Sequence, residues 1–314
     1  MRSWACTVGR LWSEHRRNTI ENLKLKEMFK IVEKRKLAEN IYEMKIAAER
    51  VARAALPGQF VIVRVSEGGE RIPLTIADYD VEAGTVTIVT QTIGLSTRKI
   101  CALEQGDYLA DFAGPLGRPS EFVHMPLEEL RAMKYLFVAG GVGTAPVYPQ
   151  VKWLKEHGVE CDVIIGAKSS NMLIYIDEMS KVGNVHIATD DGSAGYHGLV
   201  TGLAKELVEV EGRKYDECVC IGPMIMMKFL TLTTKPWNLK TTVSLNALMV
   251  DGTGMCGACR VSVGGKTLFT CVDGPEFDGH AVDFDEAIRR QSMYRNQERT
   301  AVENHEHKCK CYGE

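Results

Sequence analysis

Tyr135-Leu136-Phe137-Val138-Ala139-Gly140-Gly141-Val142-Gly143-Thr144-Ala145-Pro146 reads as a buried strand, a glycine turn and the opening of a helix. Glycines let a backbone approach a pyrophosphate. Thr144 can cap the helix, and Pro146 suits its first turn. The helix N-terminus then favours an anion. The helical pattern runs over 145–157 and stops at Gly158. A single turn of this kind is also an ordinary strand–turn–helix corner, and it is not the six-residue dinucleotide fingerprint.

Outward from this corner, strand and helix alternate. Strand-like runs fall at 161–166, 185–189 and 217–221, and helical ones at 173–179, 198–209 and 224–231. That order predicts a parallel α/β sheet. Two more loops then join the first at the carboxyl ends of strands, where such sheets bind ligands. One is Thr189-Asp190-Asp191-Gly192-Ser193, whose carboxylates can hold a ribose hydroxyl but repel a 2′-phosphate, favouring NAD over NADP. The other is Cys220-Ile221-Gly222-Pro223-Met224. Each alone is a common polar or proline turn; three on one sheet edge point to a nucleotide. Cys218 and Cys220 fall on a buried strand and read as core thiols, with Cys220 placed where it could touch a nicotinamide ring.

Upstream, residues 28–126 carry β signals. Runs at 31–32, 42–46, 60–65 and 86–92 are separated by Pro57-Gly58, Glu67-Gly68-Gly69 and Glu82-Ala83-Gly84, as in a small barrel or sandwich. Gly114-Pro115-Leu116-Gly117 reads as a tight loop. Arg71-Ile72-Pro73-Leu74-Thr75 and Ile93-Gly94-Leu95-Ser96-Thr97 offer a guanidinium and hydroxyls for a phosphate and a ring nitrogen. Taken alone, each is a surface turn. Residues 1–27 lack periodicity, and Met28 opens the first clean pattern. They read as an upstream extension, with a basic targeting arm as the alternative.

The 314 residues carry 38 Lys and Arg against 41 Asp and Glu, a formal charge of −3, and 45% are apolar. This composition excludes a disordered tail, a coiled coil and a nucleic-acid binder driven by global charge. No secretion signal or membrane span is visible, so a cytoplasmic protein is expected. The ten cysteines are the unusual count. Asp251-Gly252-Thr253-Gly254-Met255-Cys256-Gly257-Ala258-Cys259, followed by Cys271, has the spacing of a plant-type ferredoxin run with Asp251 in the first place. Structural zinc is the competing reading, although zinc more often takes two paired Cys-x₂-Cys knuckles. Cys309 and Cys311, after His305 and His307, read as a tail with reserve ligands.

With these motifs in hand, the chain resembles the ferredoxin–NADP reductase-type flavoproteins. It is most similar to the electron-transfer subunits related to that of dihydroorotate dehydrogenase. Within these it looks like the branch of small (alpha) subunits of NADH-dependent reduced ferredoxin:NADP⁺ oxidoreductases, whose close relatives are known as sulfide dehydrogenase subunits. The likeness covers about residues 28–280. It rests on Arg-x-Pro-Leu-Thr, Gly-Gly-Val-Gly-Thr-Ala-Pro, Thr-Asp-Asp-Gly-Ser, Gly-Pro-Met-x-Met-Met and the run to Cys271-Val272-Asp273-Gly274-Pro275. The branch is similar to this chain in having an Asp at the first ligand position, where the dihydroorotate relatives have a cysteine.

The resemblance implies a β-barrel FAD domain (28–126), an α/β parallel-sheet NAD domain (127–234), a small [2Fe-2S] module (235–280) and a C-terminal helix and tail (281–314). FAD would meet Arg71, Pro73, Leu74, Thr75, Thr90, Gln91, Ser96 and Thr97. NAD(H) would meet Gly140, Gly141, Val142, Gly143, Thr144, Ala145, Pro146, Asp190, Asp191, Gly192, Ser193, Cys220, Gly222 and Pro223. Asp251, Cys256, Cys259 and Cys271 would hold the cluster. No side chain need act as acid or base, because the cofactors carry the hydride and electron chemistry. A larger flavin/iron–sulfur partner subunit is implied, with electron bifurcation between NADPH, NAD⁺ and ferredoxin. No nucleic acid or membrane is involved. The alternatives are the electron-transfer subunit of dihydroorotate dehydrogenase or of sulfide dehydrogenase and, from another class, a zinc-stabilised nucleotide-binding regulator.

Overall fold

The structure, a computed structural model, describes residues 29–312, with side chains through His305. The expected extension at 1–27 and the side chains of Cys309 and Cys311 lie outside these residues. The first half folds as β1 (Ile31–Ala38), β2 (Ile41–Ala47), α1 (Glu49–Ala54), β3 (Phe60–Arg64), β4 (Ile72–Asp80), β5 (Thr85–Gln91), α2 (Leu95–Ala102) and β6 (Asp111–Leu116). The strands form an antiparallel sheet in the order β1-β2-β5-β4-β3-β6. Its ends meet. Ile31 N donates to Asp107 O (2.8 Å) and Leu109 N to Phe29 O (3.0 Å), which closes a barrel. The inside is filled by Met44, Ile46, Val61, Val63, Ile76, Val86 and Ile88, alternate residues of neighbouring strands.

The second half runs α3 (Leu127–Ala132), β7 (Tyr135–Gly140), α4 (Thr144–Glu156), β8 (Cys161–Ala167), α5 (Ile176–Ser180), β9 (Asn184–Thr189), β10 (Tyr196–His197), α6 (Val200–Lys205), β11 (Glu217–Ile221), α7 (Met224–Thr234) and β12 (Lys240–Ser244). There follow β13 (Arg260–Val263), β14 (Lys266–Phe269), α8 (Thr270–Asp273), β15 (Glu276–Asp278), α9 (Phe284–Gln291) and α10 (Arg295–Tyr312). The sheet order is β10-β9-β8-β7-β11-β12-β15. All pairs are parallel except β12 with β15. Cores on its two faces are apolar, as a sheet covered on both sides requires.

Several expectations change. The stretches read as turns at Arg71–Thr75 and Gly114–Gly117 largely lie in β4 and β6. Their prolines and glycines mimic turn punctuation, and Pro115 is tolerated on a strand with a partner on one side only. The stretch 235–280 is not a separate body, because its ends supply β12 and β15 to the parallel sheet. The helix expected over 173–179 starts at Ile176, after Tyr175 adopts a left-handed φ of 58°. The single helix expected after Asp283 is two, broken between Gln291 and Arg295.

One acidic group sits where barrel, sheet and cysteine segment meet. Glu276 accepts hydrogen bonds from Ser120 Oγ (3.0 Å) and Gln150 Nε2 (2.9 Å). Burial pushes its carboxyl up from 4.5 to about 7, the Glu217 carboxylate adds to this, and the two hydrogen bonds and Lys240 oppose it. A carboxyl raised in the folded state is protonated there at no cost below its unfolded value. It costs progressively more as pH rises through 4.5 to about 7, so this part of the stability is lost on going up in pH. Glu276→Gln should therefore gain about 1–3 kcal/mol on the native protein between pH 5 and pH 8. Denaturant melts at the two pH values check this, and equal pH slopes for both proteins would count against it.

Candidate functional site

β7 and β11 are neighbours, but the chain leaves them toward opposite edges of the sheet, to β8 and to β12. Such a switch point opens a crevice at the carboxyl ends of its two strands. The Gly140–Thr144 and Ile221–Met224 turns form its walls, and they touch. A Cβ on Gly143 would lie 2.3 Å from Ile221 O, and one on Gly140 would lie 2.3 Å from Met226 Sδ. A Cβ on Gly222 would meet Met226 Cε at 2.5 Å and Gly140 Cα at 3.2 Å. Gly141 differs. Its φ is 56°, and an added Cβ would meet nothing within 4 Å, so its backbone borders open space. The Thr144 hydroxyl donates to Gly141 O (2.9 Å), closing the turn instead of capping the helix. No side chain caps the start of α4, but the Thr144 N–H is already taken by Gly141 O and Pro146 has none, so the space beside Gly141 is the open part of the turn.

Ala145 and Val142 pack against the barrel. Cys220 and Pro223 part company. Pro223 opens α7 beside Gly140, whereas the Cys220 thiol is fully buried among Leu136, Val138, Met224 and Val243. Burial holds that thiol well above its ordinary pKa. Cys220 is thus a core residue whose side chain does not reach the crevice, correcting the expectation of a ring contact. The loop after β9 uses its two acids differently. Asp191 Oδ1 accepts from Ser193 N (2.9 Å) and Ser193 Oγ (2.6 Å), bonds that hold its carboxyl below the usual range. Gly192 turns the chain with φ 72°. Asp190 stands exposed at the loop's edge.

On the barrel, strand alternation sorts the candidates. On β4, Ile72, Leu74 and Ile76 face the barrel core, while Ala77 faces the α/β half. Pro73 and Thr75 therefore lie on the outer face, while the half-buried Leu74 side chain packs toward the barrel core, which corrects its expected side-chain contact with the ring. On β5, Thr90 shares the inner face with Val86 and Ile88 and is 2% exposed. Its hydroxyl has no partner, and it points away from the outer face, a second correction. Gln91 alternates with it and shares the face of Val89, which packs with Val142 and Ala145. The Arg71 and Ser96 motifs meet. Ser96 Oγ donates to Glu70, and Thr97 Oγ1 accepts from Ile93 N and Gly94 N, both at 3.0 Å. Arg71 pairs with Asp111 (2.7 Å).

The cysteine segment lies on the far side of the same face. Phe60, Ile62 and Leu116 pack with Met249, Cys259, Phe269 and Cys271. The outer surface of β4 is thereby bounded by this cluster on one side and by the switch-point loops on the other. The four donors form two pairs. Asp251 Oδ1 is 2.9 Å from Cys256 Sγ, and Cys259 Sγ is 3.3 Å from Cys271 Sγ. Asp251 Oδ2 also accepts from Thr253 Oγ1 and Met255 N. The Cys256 contact first, then these bonds, keep the Asp251 carboxyl well below the usual range. Cys271 is pushed up to about 12 by burial and by Cys259. Gly252, Gly254 and Gly257 all take positive φ, which is how so short a loop folds back on itself. Two pairs suit a two-iron cluster, in which each iron takes two protein ligands. Among the described residues no group of three or more donors converges as a single zinc ion needs. Arg118, Gln150 and Glu276 carry no motif, and only the tertiary structure shows that they brace this region.

Residues 246–283 match the iron–sulfur cluster binding domain of dihydroorotate dehydrogenase B. The chain is 58% identical over 272 residues, 86% of its length and 92% of the relative's, to a Clostridium beijerinckii protein described only as lying in the adh 3′ region. It is 45% identical to a dihydroorotate dehydrogenase B (NAD⁺) electron transfer subunit homolog of Thermotoga maritima, covering 87% of this chain and 94% of that one. A solved structure of the NADH-dependent reduced ferredoxin–NADP oxidoreductase, studied for flavin-based electron bifurcation, superposes with a TM-score of 0.81 at 43% identity. It covers 88% of this chain and 97% of its own. The chain belongs to the family of dihydroorotate dehydrogenase B-type electron-transfer subunits, within the ferredoxin reductase-like flavoproteins.

Proposed function

We propose that this chain is the electron-transfer subunit of a heteromeric, electron-bifurcating oxidoreductase. It passes electrons between NAD(H), FAD and a [2Fe-2S] cluster, to or from a larger partner subunit. The observation that carries this reading is the shared outer face of β4, which has the nucleotide crevice on one side and the paired cluster donors on the other. When bound, FAD would exchange a hydride with the nicotinamide and single electrons with the cluster.

The protein's own part is placement. The Gly140–Thr144 turn, open beside Gly141, would hold the dinucleotide phosphates. Asp190 meets the ribose, with Asp191 and Ser193 bracing the loop. Pro73, Thr75 and Gln91 line the ring site, and Arg71, Ser96 and Thr97 the flavin phosphates. Asp251, Cys256, Cys259 and Cys271 would hold the cluster, in the two pairs in which they lie. The 45% identity to an electron transfer subunit homolog supports the partner subunit, and the 43% identity to the ferredoxin–NADP oxidoreductase supports the link to ferredoxin. No helix among the described residues is long and apolar enough to cross a membrane. The dihydroorotate dehydrogenase subunit is the second reading, favoured by the matched cluster domain. Co-purification with a dihydroorotate-oxidising subunit would select it.

The purified complex should absorb in the visible and bleach on adding NADH. A colourless protein carrying stoichiometric zinc would end the proposal. Asp251→Cys should keep the cluster but change its EPR signal and potential, and Asp251→Ala should lower iron content. If both variants match the wild type, Asp251 is not a ligand. Asp190→Ser should raise the NADPH-to-NADH preference about ten-fold in kcat/KM, because one repulsive carboxylate is worth roughly 1.4 kcal/mol. Asp191→Ser should weaken both nucleotides alike, since it loosens the loop. Swapped outcomes would reassign the two acids.

A further inference from the structure

Val250 immediately precedes the first donor, Asp251, and Val272 immediately follows the last, Cys271. Each gives its backbone carbonyl to a barrel arginine. Arg71 Nε donates to Val250 O at 2.9 Å, across 179 residues of chain. Arg118 Nε donates to Val272 O at 3.1 Å, across 154 residues. Both arginines are tied to one strand. Arg71 pairs with Asp111 at the start of β6 (2.7 Å), and Arg118 follows the end of β6. The backbone of Arg118 also donates to Gly274 O (2.7 Å), and its guanidinium approaches Asp273 (3.7 Å). Between these two anchor points the fit is close. A Cβ on Gly252 would lie 2.5 Å from Ile62 Cδ1 and 2.9 Å from Leu116 Cδ1.

We infer that Arg71 and Arg118 are positioning residues that clamp the two ends of the ligand set onto the barrel and raise the cluster's reduction potential. The inference rests on Asp251, Cys256, Cys259 and Cys271 being the ligands, as proposed above. Reduction adds one electron to a group already surrounded by anionic donors. Two guanidinium charges that no accessible pH removes, each offset only in part by its carboxylate (Asp111 or Asp273), favour that electron. Each donates one residue away from a ligand, and the two pairs of donors are served separately. Arg71 also belongs to the candidate phosphate site of the flavin. It thus joins that site to the loop carrying Asp251, so filling one site should firm the other. Arg118 has no such second task and isolates the effect on the cluster.

The test is redox titration and EPR of the intact complex carrying Arg118→Gln, Arg118→Lys, Arg71→Gln or Arg71→Lys, with iron and FAD counted. Arg118→Gln should retain FAD and iron yet lower the cluster's reduction equilibrium constant about three-fold. For Arg71→Gln the loss should be about ten-fold, or about 59 mV for one electron, with lower FAD content. The lysine variants should recover most of the potential but keep an altered EPR line shape, because charge returns without the Nε–carbonyl bond. Unchanged potentials and EPR spectra in both glutamine variants at full iron content overturn the clamp alone. Cys259→Ala and Cys271→Ala variants that keep the iron content of the wild type overturn the ligand assignment, and the clamp with it.

Discussion

Two alanines hold the barrel against the α/β sheet. Ala77 on β4 and Ala145 in α4 are both essentially buried, and they meet in one apolar cluster with Ile41, Val89, Ile174 and Tyr175. Small side chains let a strand and a helix approach closely, and interiors packed to crystal-like density leave little play at such a contact. Lys152, seven residues along α4 from Ala145, adds an ion pair with Asp78 (2.8 Å). This fixed seam decides where the Gly140–Thr144 turn sits over the outer surface of β4. Without it the nucleotide crevice and the barrel would each exist, but their facing surfaces would have no defined separation.

On its other side β4 is bounded by the cysteine segment, seated through Phe60, Ile62 and Leu116. The barrel is therefore the common reference for both neighbours. Buried polar groups enforce the same arrangement. Ser120 and Gln150, from two other parts of the chain, both donate to Glu276 where the three parts converge. A buried network of this kind specifies one arrangement, since a shift of any member leaves a polar atom unpaired.

The sequence shows motifs where chemistry depends on local spacing. The strand–glycine–helix corner, the two later loops and the Asp251 to Cys271 run are each contiguous, and their positions on the sheet edge follow from strand–helix alternation. Side-chain direction was harder to read. Leu74, in the Arg71–Thr75 motif, and Thr90 are both expected at the flavin, yet period-two alternation turns both side chains inward. Once β4 and β5 are known to be strands, that reversal is automatic, but proline and glycine disguised β4 as a turn. Cys220 was misplaced for a related reason, since it is the last inward residue of β11 and not the first of the loop. Arg118 and Glu276 act only across distances of more than a hundred residues, which no local pattern can reveal.

The pairing of β12 with β15 has a consequence for how such a chain can be assembled from parts. Ser244 lies directly opposite Glu276, so everything from 245 to 275 leaves and re-enters the sheet at adjacent points. An excursion whose ends already touch adds only a slowly growing closure entropy with length. The segment behaves topologically as a cassette in a hairpin. A sheet of this design can acquire, lose or exchange its metal-bearing terminal without moving β7, β11 or the turns that follow them.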